Sequence, residues 1–392
     1  MPHLALPTLE IDSPYAPVTD PATPDNSPPG HPKFPRDTTG FHAELKRRVA
    51  AYFTEGRSER DCWQMYLKTA IILGWLGASY VLLVFVADAW WQAIPLAFAI
   101  VLGIAGVGFA IQHDGGHHAY SRREWINRLA AMSMDLIGAS SYLWRWKHVV
   151  MHHTYPNVPG EDMDIDAGAL TRFSPHQPWR WFHRWQHLYL WPAYALTAPR
   201  WHLWGDFKEV LTGRIGPHPI PRPHGWDLLV FVLGKAISIG FMLVLPMFFH
   251  PWWLVLAFYV LVTGFAGVFL TVVFQLAHCV GEAEFPTPIP GTARMPDAWA
   301  AHQIVTTVDF ARRSPSMTFL LGGLNFQIEH HLFPRISHIH YPALSKIVEQ
   351  TSKEYGIPYT NHGSFWAGIR AHYRWLKELG NPEVTTPLAV GE

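Results

Sequence analysis

Charge and sulfur are both scarce in this chain. Of its 392 residues only 15% are Asp, Glu, Lys or Arg, and the two signs cancel to a formal net charge of zero. A nucleic-acid binder carries a basic footprint, so that class is excluded. Cysteine occurs twice, as Cys62 and Cys279. Two cysteines cannot form a disulfide scaffold, and neither lies in a Cys-x-x-Cys pair, which argues against sulfur-held zinc or iron–sulfur clusters. The N-terminus lacks the basic start and apolar core of a signal peptide. Residues 1–40 also lack apolar periodicity, and Pro-Asp-Asn-Ser-Pro-Pro-Gly at 24–30 cannot pack, so this stretch reads as a flexible tail. A second flexible tail is expected over 376–392.

What is abundant is hydrophobic residues at 49%, tryptophan at 19 and histidine at 24. Four apolar stretches, Thr69–Ala87, Trp91–Ile111, Asp227–Phe249 and Trp252–Ala277, reach the about 20 helical residues a bilayer requires. Only Asp88-Ala89-Trp90 separates the first two, and only His250-Pro251 the last two. The expected architecture is an all-α membrane protein with four transmembrane helices in two hairpins. Trp90, Trp91, Trp252 and Trp253 mark the turns as an interfacial belt. The turns carry no Lys or Arg, whereas Lys46, Arg47, Arg48, Arg57, Arg60, Arg122, Arg123, Arg145 and Lys147 lie beyond the other helix ends. By the positive-inside rule both termini and the 112–226 connection are cytoplasmic. Trp179–Trp204, broken by Pro192 and Pro199, reads as interfacial helix, and Ala130–Leu143 as another such segment.

Nine histidines outside the apolar runs fall in four groups: His113, His117 and His118; His148, His152 and His153; His278; and His330 with His331. Neutral imidazole is the commonest protein metal ligand. An i, i+4 pair on a helix places two rings on one face, within reach of one ion. The set is too large for one tetrahedral zinc and suits two ions. All four groups fall on the same deduced side of the membrane, so one shared site is possible. His183 and His187 repeat the i, i+4 spacing but sit among Trp179, Trp181, Trp185 and Trp191, and are read as interfacial. Metal-bound imidazoles usually donate their other N–H to a carboxylate. The nearby acids Asp114, Glu161, Asp162, Asp164, Asp166 and Glu329 are read in that role, with Asp114 and Asp164 favoured. An all-imidazole set accommodates iron, zinc, copper or nickel. Two histidine-bound ions at a membrane face suit oxygen activation by non-haem iron on a long apolar substrate.

The order His113-Asp-x-x-His117, His148-x-x-x-His152-His153 and Gln327-x-x-His330-His331-Leu-Phe-Pro resembles the membrane fatty-acid desaturases over roughly residues 41–375. Gln327 in place of a histidine is similar to the front-end (Δ6/Δ5-type) and sphingolipid branch. The resemblance implies a cytoplasmic helical cap holding two irons. It also implies that O2 and two electrons convert an acyl chain to a cis alkene. His278, in Gln275-Leu-Ala-His278, would match a further ligand, and Gln327 would bind metal directly or through water. Many front-end members carry a fused cytochrome b5 domain with His-Pro-Gly-Gly. Here only Gly30-His31-Pro32-Lys33 occurs, so a separate carrier, ferredoxin or cytochrome b5, is the expected electron donor. Trp144, Trp146, Thr306, Thr307 and Phe326 are candidates for the acyl tunnel. A lipid hydroxylase on the same scaffold is the nearest alternative. A zinc hydrolase or a metal transporter is more distant. A transporter would carry polar groups within its spans, and Lys235 is the main one here.

Overall fold

The computed structural model describes residues 31–54 and 56–384. Helix dominates it. Four helices are long and apolar enough to cross a membrane: Trp63–Phe85, Trp90–Gly116, Gly225–Met247 and Trp252–His278. The first packs against the second, and the second against the fourth. Ala97, Ile100, Val101 and Ile104 interlock there with Val262 and Ala266. The outer faces of the same helices leave large apolar side chains exposed, among them Trp75, Phe85, Leu233 and Val260. Trp90, Trp91, Trp252 and Trp253 at the turns are 58–79% exposed. Such surface belongs in lipid, and this is a membrane protein.

Helix ends differ from the apolar runs in informative ways. The first helix begins at Trp63, so Lys68 lies inside it and is buried. Its ammonium meets His338 Nε2 at 3.0 Å, and His338 Nδ1 in turn meets Asp114 at 3.0 Å. The second helix runs past Ile111 through a π-helical turn, Val107–Gln112, into His113–Gly116. A π turn widens a helix locally and re-aims the residues beyond it, here the first histidine group. Lys235, the charge within the third helix, is satisfied by Asp206 at 2.7 Å and by the carbonyls of Gly138 and Trp201.

The remaining helices pack around the ends that carry the histidines. Glu124–Leu136 turns Trp125, Leu129 and Leu136 outward. The Trp-rich segment after it is a chain of short helical pieces between Trp181 and Gly205, with Pro192 inside one. Phe41–Phe53 and Tyr341–Glu354 close over Gln327–Leu332 through Leu45, Ile328, Leu332, Leu344 and Val348. Of the two expected tails, residues 1–30 and 385–392 lie outside the described residues. Residues 31–40 are packed rather than free, since Lys33 bridges to Arg294. Residues 376–384 are likewise packed. Phe365–Leu379 buries Leu376 and Leu379 in the largest core cluster. The buried Arg172 guanidinium then donates to the carbonyls of Leu379 and Val384. The amphipathic period of that helix continues past residue 375, and the core tracks it.

Candidate metal centre

The first group rides the end of the second long helix. His113 and His117 are buried with ring centroids 4.8 Å apart. Two glycines let neighbours close on them. A Cβ at Gly115 would lie 2.6 Å from the Ala130 Cβ, and one at Gly116 would intrude on the Trp144 ring. His118 is the exception to the expected set. It adopts positive φ (60°) after the helix ends, and Nδ1 pairs with Glu124 at 2.8 Å on the surface. The left-handed turn rotates its ring away from the cluster.

The second group sits on another π helix, Arg145–His152. A wider turn changes which residues align. His153, five residues on, brings Nε2 to 3.3 Å from His148 Nε2 and 2.9 Å from His330 Nε2. His152 is directed instead towards His278 and His331, at centroid distances of 4.6 and 4.9 Å. The simple i, i+4 reading missed this division.

Two constellations result. In one, ring nitrogens of His113, His117, His148 and His330 lie within 4.8 Å of one another; in the other, those of His152, His278 and His331 do so. His153 joins them, touching His148 and His330 while stacking on His331 at 4.3 Å. Gln327 Nε2 lies 3.1 Å from His278 Nε2. The donors suit metal. His117 Nε2, His152 Nε2 and His331 Nε2 are buried with no hydrogen-bond partner, a costly arrangement unless an ion accepts the lone pairs. Burial and mutual crowding hold His153, His330 and His331 well below the usual imidazole range, so they are neutral donors. Burial pulls His152 down too, but the Asp162 carboxylate outweighs it and holds that ring above the ordinary value.

The partners of the other ring nitrogens are partly those expected. Asp164 meets His148 Nδ1 at 3.2 Å and Lys147 at 3.3 Å. Burial opposes its charge, but Lys147 and His148 hold its carboxyl well below the usual range. Asp114 instead holds His338 and Ser337. Glu329 accepts from the Tyr359 hydroxyl at 3.0 Å beside Asp309; burial and that neighbouring carboxylate push it well up. Neither Asp114 nor Glu329 has a hydrogen bond to a clustered imidazole.

Two partners escape sequence reasoning, and a third, Asp162, is among the carboxylates read as partners there but is not favoured. Asp162, fully buried, accepts from His152 Nδ1 at 2.9 Å; Gln303 Oε1 accepts from His331 Nδ1 at 2.9 Å; and the Tyr341 hydroxyl meets His330 Nδ1 at 3.2 Å. Only Asp162, ten residues after His152, was near enough in sequence to be considered. Asn157, at φ 59°, spans from the carbonyl of His278 to that of Thr306 and so ties the second group to the fourth helix.

Of the tunnel candidates, Trp144 packs its ring directly against the histidines. Its ring stacks on His148 at 4.7 Å and meets His113 and His117 edge-on. Trp146 packs with Leu143, Met163, Ile215 and Ile220. Thr306 and Thr307 return their hydroxyls to the carbonyls of His302 and Gln303, and Phe326 is core. Phe274, not foreseen, stacks on His278 at 4.9 Å and lies 5.0 Å from His152. His183 and His187 lie outside both constellations. His183 serves the backbone of Arg180 and Ala169, and His187 packs against Tyr373.

Comparison with known proteins agrees with this geometry. The family model described as fatty acid desaturase matches residues 88–363. The chain is 40% identical over 350 residues to the sn-1 linoleoyl-lipid 6-desaturase of Arthrospira platensis, covering 88% of this chain and 94% of that one. Identity to the acyl-lipid (8-3)-desaturase of Physcomitrium patens is 39%, over 88% of this chain and 72% of the relative. For the sn-1 linoleoyl-lipid 6-desaturase of Synechocystis it is 36%, over 87% and 96%. A histidine-built metal centre at the ends of apolar helices, with matches of this extent, makes the chain a member of the fatty acid desaturase family and an oxidoreductase that desaturates fatty acyl groups.

Proposed function

We propose that this chain is a front-end acyl-lipid desaturase with a di-iron centre. His113, His117, His148, His153 and His330 would hold one iron, and His152, His278 and His331, with Gln327 beside them, the other. The observation that carries the reading is the division of the histidines into two adjacent buried constellations. The overall reaction balances as O2, two electrons, two protons and –CH2–CH2– giving –CH=CH– and two waters. The iron pair supplies activation of O2.

The chain's own residues orient and exclude. Asp164, Asp162, Gln303 and Tyr341 fix the tautomers of His148, His152, His331 and His330 by accepting or sharing the far ring proton. Trp144 and Phe274 present apolar faces beside the histidines and would wall the approach of an acyl methylene. Fixing the acyl chain against those walls decides which carbon reacts.

The lipid-linked substrate is inferred from relatives named for lipid substrates. The absence of Lys and Arg from both interhelical turns supports a cytoplasmic centre under a helical cap, with both termini on that side. Electrons would come from a separate ferredoxin or cytochrome b5.

The test is expression in a host supplied with a ferredoxin or cytochrome b5 donor, with the lipids analysed by gas chromatography–mass spectrometry. A new cis alkene, lost in a His152→Ala/His330→Ala variant, is expected. A hydroxylated acid in its place would overturn desaturation by this centre, and purified protein free of iron would overturn the metal assignment.

A further inference from the structure

A second donor set lies apart from the metal centre, on the outer face of the loop after the second histidine group. We propose that His31, Glu161 and His218 form a divalent-cation site of zinc type. One ligand atom from each lies within 4.8 Å of the other two, and all three residues are half-buried. They come from segments remote in sequence: the arm at 31–36, the loop at 158–164 and the hairpin pairing Arg214–Ile215 with His218–Pro219.

His218 is fixed from behind, and the arm that carries His31 is anchored. His218 Nε2 sits 2.7 Å from the Gly160 carbonyl, which accepts its proton and leaves Nδ1 with the lone pair. That is the usual second contact of a metal-binding imidazole. His31 stacks on His218 at 5.7 Å with the planes 26° apart, and its Nδ1 meets Glu161 Oε2 at 2.6 Å. The arm is anchored by Lys33 N to the Ala293 carbonyl at 2.6 Å, Met295 N to the Lys33 carbonyl at 2.8 Å, and the Tyr155 hydroxyl to the Pro32 carbonyl at 2.9 Å.

Two imidazoles and one carboxylate suit zinc, with a fourth position left to water. Calcium and magnesium prefer oxygen donors and would compete poorly. Small side-chain rotations draw the donors to bonding distance. An ion there would clamp arm, hairpin and loop together. Glu161 precedes Asp162, which holds His152, so the clamp stiffens a segment supporting the metal centre without belonging to it.

The experiment uses the full chain, purified with its metal centre loaded and equilibrated with zinc chloride. Zinc and iron per chain are counted by mass spectrometry, and thermal melting is monitored with and without zinc. We expect about one zinc taken up with iron unchanged, and a zinc-dependent rise in Tm. Both should vanish in His218→Ala and in Glu161→Gln, the second of which keeps side-chain size and guards against simple misfolding. Uptake equal in wild type and both variants would overturn the site. So would uptake matched by loss of iron, or no uptake in the wild type.

Discussion

Replacing Asp162 by alanine should damage the metal centre more than replacing Asp114, although Asp114 sits in the first histidine motif. Asp162 is fully buried, and its Oδ2 accepts from His152 Nδ1 and from the backbone of Asn157, both at 2.9 Å. Its Oδ1 accepts from the backbone of Asp164 at 2.9 Å. Alanine leaves three donors without an acceptor, one of them on the second histidine group and another on Asn157, which ties that group to the fourth long helix. A buried unsatisfied donor costs about 1–3 kcal/mol. Loss of such an outer contact lowers metal affinity or activity by roughly 10- to 100-fold, equivalent to about 1.4–2.7 kcal/mol. Asp114→Ala removes contacts to His338 and Ser337 only. The assay is metal per chain by mass spectrometry, paired with alkene yield in the expressing host. Asp162→Ala should lose metal from the His152, His278 and His331 set and most of its product. Full metal and wild-type yield in Asp162→Ala would refute the orientation argument.

His118→Ala should retain metal and product, because its ring faces Glu124; a loss as large as that of His117→Ala would return it to the ligand set. Lys235→Met should destabilise the fold by about 3–5 kcal/mol by stranding buried Asp206, and Lys235→Met/Asp206→Leu should recover much of that on a detergent-solubilised unfolding curve; a double variant no better than the single one would count against the pair. Burial pushes His302 down to about 3 and His372 down to about 4 from 6.5. Both stay neutral in the fold but protonate in the unfolded chain below about 6.5. Stability therefore falls with pH below that value, by about 1.4 kcal/mol per unit for each, until pH passes about 4 and then about 3. Denaturation midpoints at pH 7.5 and 5.5 test this, and a midpoint that does not fall at the lower pH would contradict it.

The spans and the clustered histidines were legible in the sequence for a local reason. Apolar run length and short-range spacing survive without knowledge of neighbours, and the motif Gln327-x-x-His330-His331 can be read directly. The element ends were less legible. Lys68 ended the first apolar run because a charge in lipid is costly, yet His338 meets its ammonium, a contact from 270 positions away. Phe274 was hidden for the opposite reason: one aromatic residue in an apolar span has no local mark.

By itself, then, the sequence determined that the chain inserts in a membrane and gathers imidazoles on one metal centre, because both depend on residue type and near spacing. Only the tertiary structure decided how those imidazoles divide. The π helix that carries the second group aligned His153 with His148 and His330 and directed His152 to His278 and His331. The left-handed turn at His118 removed that ring from the set. Asp162, Gln303 and Tyr341 became the orienting partners rather than Asp114 or Glu329, because a buried hydrogen bond depends on where the folded chain brings donor and acceptor, and sequence distance does not record that.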